Sequence, residues 1–173
     1  MTRGEITFVT AHEITNTVRL TSLKGFDCSF LLPRNFTISF WGDIENTKLN
    51  LIANGASSLT INSYKLMCGS IYIVPFNYPI VKSFDKYDII FDYDNQKIIA
   101  YRNGIKVCEN YSDVNVREII DSFAGNNLFH MLNTISCSDD SCIQHFIIYN
   151  GIVNEKDIFN SYYCGLTDNH QIY

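Results

Sequence analysis

Apolar and polar residues alternate along most of this chain with a period of two. In Phe36-Thr37-Ile38-Ser39-Phe40-Trp41 the alternation sets Phe36, Ile38 and Phe40 on one face and Thr37, Ser39 and Trp41 on the other, the pattern of a β-strand with one buried face. The same test predicts strands from Ile6 to Val9, Thr17 to Thr21, Leu49 to Ala53, Leu59 to Ile61, Ser70 to Val74, Asp88 to Tyr93, Lys97 to Tyr101, Ile105 to Cys108, Leu128 to Leu132 and Ile143 to Tyr149. Asn103-Gly104 lies between two of these runs. Both central residues of a type I′ turn need positive φ, so this dipeptide predicts a hairpin. Asp94-Asn95-Gln96 joins the preceding run to the same unit, which makes three consecutive strands a meander.

Helical signals are few. Val116 to Phe123 reads as two helical turns ended at Gly125, and Asn154 is placed to cap a short helix running to Phe159. Short strands separated by turn signals about every ten residues predict an all-β fold, an antiparallel β-sandwich of the jelly-roll kind with one or two short helices. An open sheet wrapped around the Val116 helix is the alternative. No repeat, linker or low-complexity stretch interrupts the pattern, so residues 1–173 read as a single domain.

Composition narrows the function. Hydrophobic residues make up 46% of the 173 positions, enough for one substantial core. The formal net charge is −5, and the 13 lysines and arginines are scattered singly in sequence; a nucleic-acid or anionic-membrane surface needs them clustered, so neither partner is expected. No apolar run approaches the roughly 20 residues that cross a bilayer, so membrane insertion is not expected either. The first residues also lack the apolar segment of a secretory signal. Six cysteines are an even number but too sparse for a disulfide scaffold.

Three segments, "NFTISFWGDI", "YDIIFDYDNQKIIAYRNGIKV" and "QHFIIYNGIVNEKDIFNSYY", resemble in that order the laminin G-like, concanavalin A-like jelly-roll superfamily. In that superfamily a strand of this type precedes a hairpin with an Asn-Gly turn, then a final strand and a short helix. The resemblance covers roughly residues 30 to 165, with Tyr87 standing where the family usually has Trp. Similar strings occur in the lectin-like half of clostridial neurotoxin receptor-binding regions and in carbohydrate-binding modules. The resemblance implies two curved antiparallel sheets whose rim or face binds glycans, proteins or lipids, often without catalysis. A viral attachment-spike head would share the size and role.

Catalytic patterns are missing. Glucanases of this fold carry Glu-x-Asp-x-x-Glu on one strand, which places acid and nucleophile on the same face; the nearest string here is Asp88-Ile-Ile-Phe-Asp92-Tyr-Asp94, more simply the solvated side of a half-buried strand. His12, His130, His145 and His170 are far apart in sequence and read as surface or satisfied histidines. No cofactor is expected. Asp92, Asp94 and Asn95, with Asp139 and Asp140, are the oxygen donors a rim calcium would use, against the commoner role of Asp and Asn in turns.

Sugar recognition needs an aromatic face against the apolar side of a pyranose, flanked by groups that bond hydroxyls. Trp41, Tyr72, Tyr78, Tyr101 and Arg102 fall off the predicted core face, and eleven tyrosines and twelve phenylalanines exceed what one core uses. In "PFNYP", Pro75 and Pro79 stiffen a loop carrying Phe76, Asn77 and Tyr78, which would pre-organise a binding surface. Asn35 and Asn110 match the glycosylation pattern, Asn110 being the plausible acceptor in a secreted protein.

The stretch "CSDDSC", Cys137 to Cys142, admits several readings. "DSCIQHFIIYNG" is similar to a laminin-G segment whose cysteine bridges to one near the domain's C-terminus, which implies a Cys142–Cys164 disulfide. A local Cys137–Cys142 bridge and reduced thiols stay open beside it, with zinc or redox roles weaker. The expectation that follows is a non-catalytic recognition domain of a larger extracellular or virion-surface protein, its partner a glycan or glycoprotein receptor. A protein-binding or structural jelly roll is the alternative, and a glycoside hydrolase is weaker still.

Overall fold

Thirteen strands and two α-helices follow one another in the computed structural model, which describes residues 7–8, 18–76, 84–123, 127–138 and 141–170. The strands are β1 (Thr7–Phe8), β2 (Val18–Arg19), β3 (Phe26–Ser29), β4 (Phe36–Asp43), β5 (Lys48–Ala53), β6 (Ser58–Asn62), β7 (Lys65–Cys68), β8 (Ile71–Pro75), β9 (Asp85–Asp92), β10 (Lys97–Arg102), β11 (Ile105–Glu109), β12 (Leu128–Ser136) and β13 (Cys142–Asn150). The helices are α1 (Val116–Asp121) and α2 (Glu155–His170).

Two antiparallel sheets form the expected β-sandwich. One has the order β1-β13-β4-β9-β10-β11, with β2 also on β13, and the other β3-β12-β5-β6-β7-β8. We call them the first and second sheets. Period-two alternation turns Phe36, Ile38, Phe40, Tyr87, Ile89 and Phe91 of the first sheet toward Leu49, Ile52, Leu59, Ile61 and Leu66 of the second, and all are fully buried. Cross-strand rings tie the first sheet together: Phe36 lies 4.3 Å from Phe91 and Phe40 5.3 Å from Tyr87. The α1 helix plugs one end of the sandwich with buried Val116, Ile119 and Ile120. Asn115 caps it by accepting the Glu118 N–H at 3.1 Å.

The Asn103-Gly104 turn forms as expected, with φ of 52° and 79°. Two strands carry no legible sequence signal. β3 is only four residues long, and β7 follows a turn at Ser63-Tyr64 whose φ values are 46° and 66°. A left-handed Ser-Tyr pair is not the Gly or Asn that marks such a hairpin, so tertiary packing imposes this turn against local preference. In β13 a bulge with His145 at φ 53° sets two residues opposite one of β4 between Gln144 and Ile147.

The structure corrects the expectation that β4 and β9 each have one solvated face. Every residue of both strands is buried, because α2 lies across the outer side of the first sheet. That helix is sixteen residues long and continues past Phe159, where the sequence reading ended it. Asn154 does cap it, accepting the Asp157 N–H at 2.9 Å. Thr37 secures the chain leading into it, donating to the Gly151 carbonyl at 3.0 Å and accepting from the Val153 N–H at 3.2 Å. Ile90, Tyr101, Val153 and Ile158 then form a second small core between sheet and helix. Among the described residues no helix is long and apolar enough to cross a membrane.

Candidate functional site

Among the described residues no helix lies over the outer face of the second sheet. Alternation that sends Leu49, Leu59, Ile61 and Leu66 inward sends Lys48, Asn50, Thr60, Asn62, Lys65 and Met67 outward. Register pairs these into rows that cross the strands. Asn133 of β12 stands opposite Asn50, Asn50 opposite Thr60, Thr60 opposite Met67, and Met67 opposite Tyr72. A parallel row runs from Ser136 through Lys48 and Asn62, across the Ser63-Tyr64 turn, to Lys65 and Pro75.

Local bonds pre-set the first row. The Thr60 hydroxyl donates to Asn50 Oδ1 at 2.6 Å, which fixes the Asn50 amide. At the end of the row the Tyr72 ring leans on Tyr111, centroids 5.3 Å apart, and the Lys65 ammonium lies 5.7 Å from the Tyr72 ring centre. Tyr72 is half-buried and Tyr111 exposed. At the opposite end an open groove of about 370 Å³ is lined by Leu20, Lys24, Asn133, Ile135, Ser136 and neighbouring residues. Groove and amide row thus form a polar stretch, in which Thr60 is itself buried, and Met67 with the tyrosine pair forms its apolar and aromatic end.

Of the ligand-contact residues singled out from sequence that are among those described, only Tyr72 lies on this surface. Trp41 is 5% exposed beneath α2, stacked on Tyr162 at 5.8 Å and Phe84 at 6.0 Å. A Cβ on Gly165 would come within 2.7 Å of the Trp41 ring, so helix and indole are in full contact. Tyr101 is buried under the same helix, and burial, then Glu155, holds its phenol above the usual range. Phe76 is part of the core, edge-on to Tyr87 at 5.3 Å. Trp41, Tyr101 and Phe76 therefore offer no face for a sugar to stack on, which corrects the reading of them as exposed aromatics. Asn77 and Tyr78 lie outside the described residues.

Arg102 is half-buried and works structurally. Its Nε donates to Asp85 at 3.1 Å, its terminal nitrogen pairs with the same carboxylate, and Asn103 donates to Asp85 at 2.9 Å, so the group locks the hairpin against β9. The guanidinium lies 5.7 and 5.9 Å from the Tyr64 and Tyr87 rings. Burial, with Asp43 and Glu45 adding to it, pushes the Tyr64 phenol up to about 12, and burial pushes Tyr87 up as well.

The aspartates are likewise committed. Asp88 is not solvated: it bonds Lys86 at 2.5 Å on the outer side of the first sheet, and both side chains are 4% exposed. Asp92 accepts from the Asn95 backbone and side-chain amides at 3.0 and 2.9 Å, and Asp94 accepts from Asn35 at 2.9 Å, which is turn chemistry and not an open cation cage. Asp139 and Asp140 lie outside the described residues. Among those described, no three His, Cys, Asp or Glu side chains gather as metal ligands. His130 is satisfied by Asp27 at 2.7 Å. Asn110 uses its side-chain oxygen to accept the Ile98 N–H at 2.7 Å, which ties the amide into the sheet and makes it a poor glycan acceptor.

No disulfide joins any of the six cysteines. The Cys142–Cys164 bridge implied by the resemblance is not formed: Cys142 opens β13 opposite Asp43 and Arg19, whereas Cys164 stands exposed on α2. The local Cys137–Cys142 bridge is not formed either. The turn between them is instead pinned by Ser138 and Ser141, whose hydroxyls meet at 2.8 Å while Thr47 donates to Ser141 at 3.1 Å. Burial raises the thiols of Cys28, Cys68 and Cys108, which leaves them little thiolate for chemistry.

Asn50, Thr60, Asn133, Lys65 and Tyr111 were not legible as a site. They come from five different segments, and only the pairing of β12, β5, β6, β7 and β8 aligns four of them with Tyr72, which brings Tyr111.

No family model and no curated relative matches the sequence. Solved structures do match. The binding domain of Botulinum neurotoxin serotype D is similar with a TM-score of 0.61 and 15% identity, over 93% of this chain and 46% of that one. A serotype D ligand-binding domain in complex with N-acetylneuraminic acid gives 0.58 and 13%, over 91% and 45%. The binding domain of Botulinum neurotoxin DC in complex with rat synaptotagmin II gives 0.51 and 18%, over 76% and 36%. This chain thus spans under half the length of those domains, and at such identities what it shares with them is the β-sandwich fold.

Proposed function

We propose that this chain is a non-catalytic recognition domain that binds glycans, acting as a receptor-attachment module within a larger secreted protein. The observation that carries it is the open outer face of the second sheet, where a pre-set row of amide and hydroxyl groups ends in the Tyr72–Tyr111 pair. Flat sugars are recognised by that combination of ring face and hydroxyl-bonding groups. Support comes from the likeness to toxin binding domains, whose named complexes include a sialic acid and a protein receptor. We assign the sandwich to the laminin G-like, concanavalin A-like superfamily on its three sequence segments. The structural roles of Asp88, Asp92 and Asp94 support a non-catalytic reading, since none of the three is placed as a free acid or nucleophile.

A glycan array probed with the whole chain tests this. Specific hits that vanish in Asn50→Ala and Tyr72→Ala support the reading; a blank array, or hits unaffected by both changes, overturns it. A second reading has one observation in its favour. Phe159 and Tyr163 stack at 6.5 Å on the outward side of α2 and are exposed, as is Ile105 beside Gly104, where a Cβ would lie 3.1 Å from Phe159 Cα. A protein partner would dock on that apolar patch.

A further inference from the structure

The two edges of β12 are used unequally. On one side β5 pairs with its residues 130–136, while on the other β3 pairs only with residues 128–131. Alternate residues of an antiparallel strand turn their N–H and C=O groups toward opposite neighbours. Along residues 133–136, about half of the backbone groups therefore face a side on which no described strand lies.

The path of the chain into β3 holds that side open. Continued at the register of β3, the chain would set Lys24 level with Asn133 and Thr21 level with Ser136. Instead Leu20–Ser22 coils into a 3-10 turn, with the Leu20 N–H donating to the Ser141 carbonyl at 2.8 Å, and the chain rejoins the sheet at Gly25, whose φ is 77°. The groove of about 370 Å³ is the gap that results, with Leu20, Leu23 and Lys24 on one wall and residues 133–137 on the other. It is closed at the Gly25 end. A Cβ there would lie 2.6 Å from the Met131 carbonyl oxygen and 3.1 Å from Asn133 Cα, so backbone meets backbone and leaves no passage for another chain.

Two groups in the groove lack what their chemistry calls for. The Thr134 hydroxyl oxygen is buried without a hydrogen-bond partner, a state that native folds seldom leave standing. Lys24 is exposed beside the closed end and forms no ion pair among the described residues. Ile135, 53% exposed, adds an apolar surface between them and solvent.

We propose that this groove takes the C-terminal end of a partner protein as an added strand. The last residues of the partner lie antiparallel to β12 along residues 133–136, take up its unpaired backbone groups and the Thr134 hydroxyl, and set their α-carboxylate at Lys24. Charge fixes the polarity. An antiparallel peptide runs in the direction of β3 and brings its carboxylate to the closed end, whereas a parallel one would bring its amino end there, against the lysine. The closed end also selects a terminus over an internal segment. This site lies beside the glycan surface and does not rest on the glycan reading.

The test is calorimetric titration of the whole chain with a library of acetylated hexapeptides rich in Val, Thr and Ile. Each is made with a free C-terminal carboxylate, with a C-terminal amide, and with N-methyl groups on alternate amides. Expected is binding within the free-acid set that falls at least about 5-fold on amidation and is lost on N-methylation of the amides that pair with β12. Hydrogen exchange should slow at residues 133–136 when such a peptide is bound. Lys24→Gln should weaken binding about 2-fold to 5-fold with the melting temperature unchanged. Thr134→Val is the sharper variant, because it removes an unsatisfied hydroxyl at nearly constant volume: the fold should be at least as stable, while peptide binding weakens. A purely structural Thr134 would give a less stable fold and unchanged binding. Equal binding of acids and amides, tolerance of N-methylation at every amide, or a library without a binder overturns the inference. A dimer in sedimentation, with the same amides protected and no peptide present, overturns it in favour of a second copy of this chain. All of these outcomes leave the glycan reading to its own test in Asn50→Ala and Tyr72→Ala.

Discussion

The outer faces of the two sheets start from the same rule and end differently. Alternation gives each an outward set of polar side chains, yet on the first sheet that set is buried beneath α2, while on the second Lys48, Asn62 and Lys65 are exposed and only Thr60 of the named set is buried. Beneath the helix, polarity became structural: Thr37 holds the incoming chain, Lys86 and Asp88 neutralise each other, and Trp41 and Tyr101 fill the seam. On the open sheet the same residue types stay available, with Asn50 held in place by Thr60 and Tyr72 by Tyr111. An aromatic or a charge off the core face is therefore a ligand candidate only if nothing else covers that face.

Substitutions of matched type sharpen the contrast. Lys86→Met should cost about 3 to 5 kcal/mol, because it strands the buried Asp88 carboxylate, and a second change of Asp88→Leu should recover most of the loss in urea denaturation. Trp41→Ala, which empties the space between β4 and α2, is expected to cost about 3 to 5 kcal/mol and to lower the melting temperature accordingly. The equivalent open-face change, Tyr72→Ala, should remove glycan binding while costing less stability than Trp41→Ala, since the Tyr72 ring is half-buried where the Trp41 ring is 5% exposed. If the two aromatic variants destabilise equally, the division into a covered and an open face is wrong.

Alkaline pH separates the regions as well. Burial raises the phenols of Tyr101 under α2 and of Tyr64, the latter up to about 12. Below about pH 10 both folded and unfolded chains hold these protons and stability does not change. Above it the unfolded chain releases them first, so stability falls as pH rises from about 10 toward 12. Denaturant titrations across that window should show the decline, reduced in Tyr101→Phe. Removing the α2 cap in Asn154→Ala should cost about 1 kcal/mol and be read first as loosening of the covered face, by a red shift in Trp41 fluorescence. Lys48→Gln on the open face should change stability by less than about 0.5 kcal/mol.

Much of this fold was readable locally. Phe36-Thr-Ile-Ser-Phe-Trp41 and Asn103-Gly104 each carry their own conformational reason, pleat alternation and positive φ, and both elements form. β7 was not readable because its hairpin turn uses Ser63 and Tyr64, residues with no preference for the left-handed region they occupy. The site was the least readable part. Trp41 and Tyr101 looked exposed because a strand's period says which residues share a face but not what lies over it.

Local sequence thus determined most strand positions, β3 and β7 excepted, with the Asn-Gly hairpin, the cap at Asn154 and the division of residues between inner and outer faces, since these depend on neighbours a few bonds away. Pairing between distant segments decided the rest: which outer face α2 covers, the Lys86–Asp88 bond beneath it, and the rows that bring Asn133, Asn50, Thr60 and Tyr72 into line. Two lysines show it most plainly. Lys48 and Lys65 are isolated in sequence and come into one row with Asn62 only when β5, β6 and β7 lie side by side in one sheet, because which side chains are neighbours depends on distance through space and not along the chain.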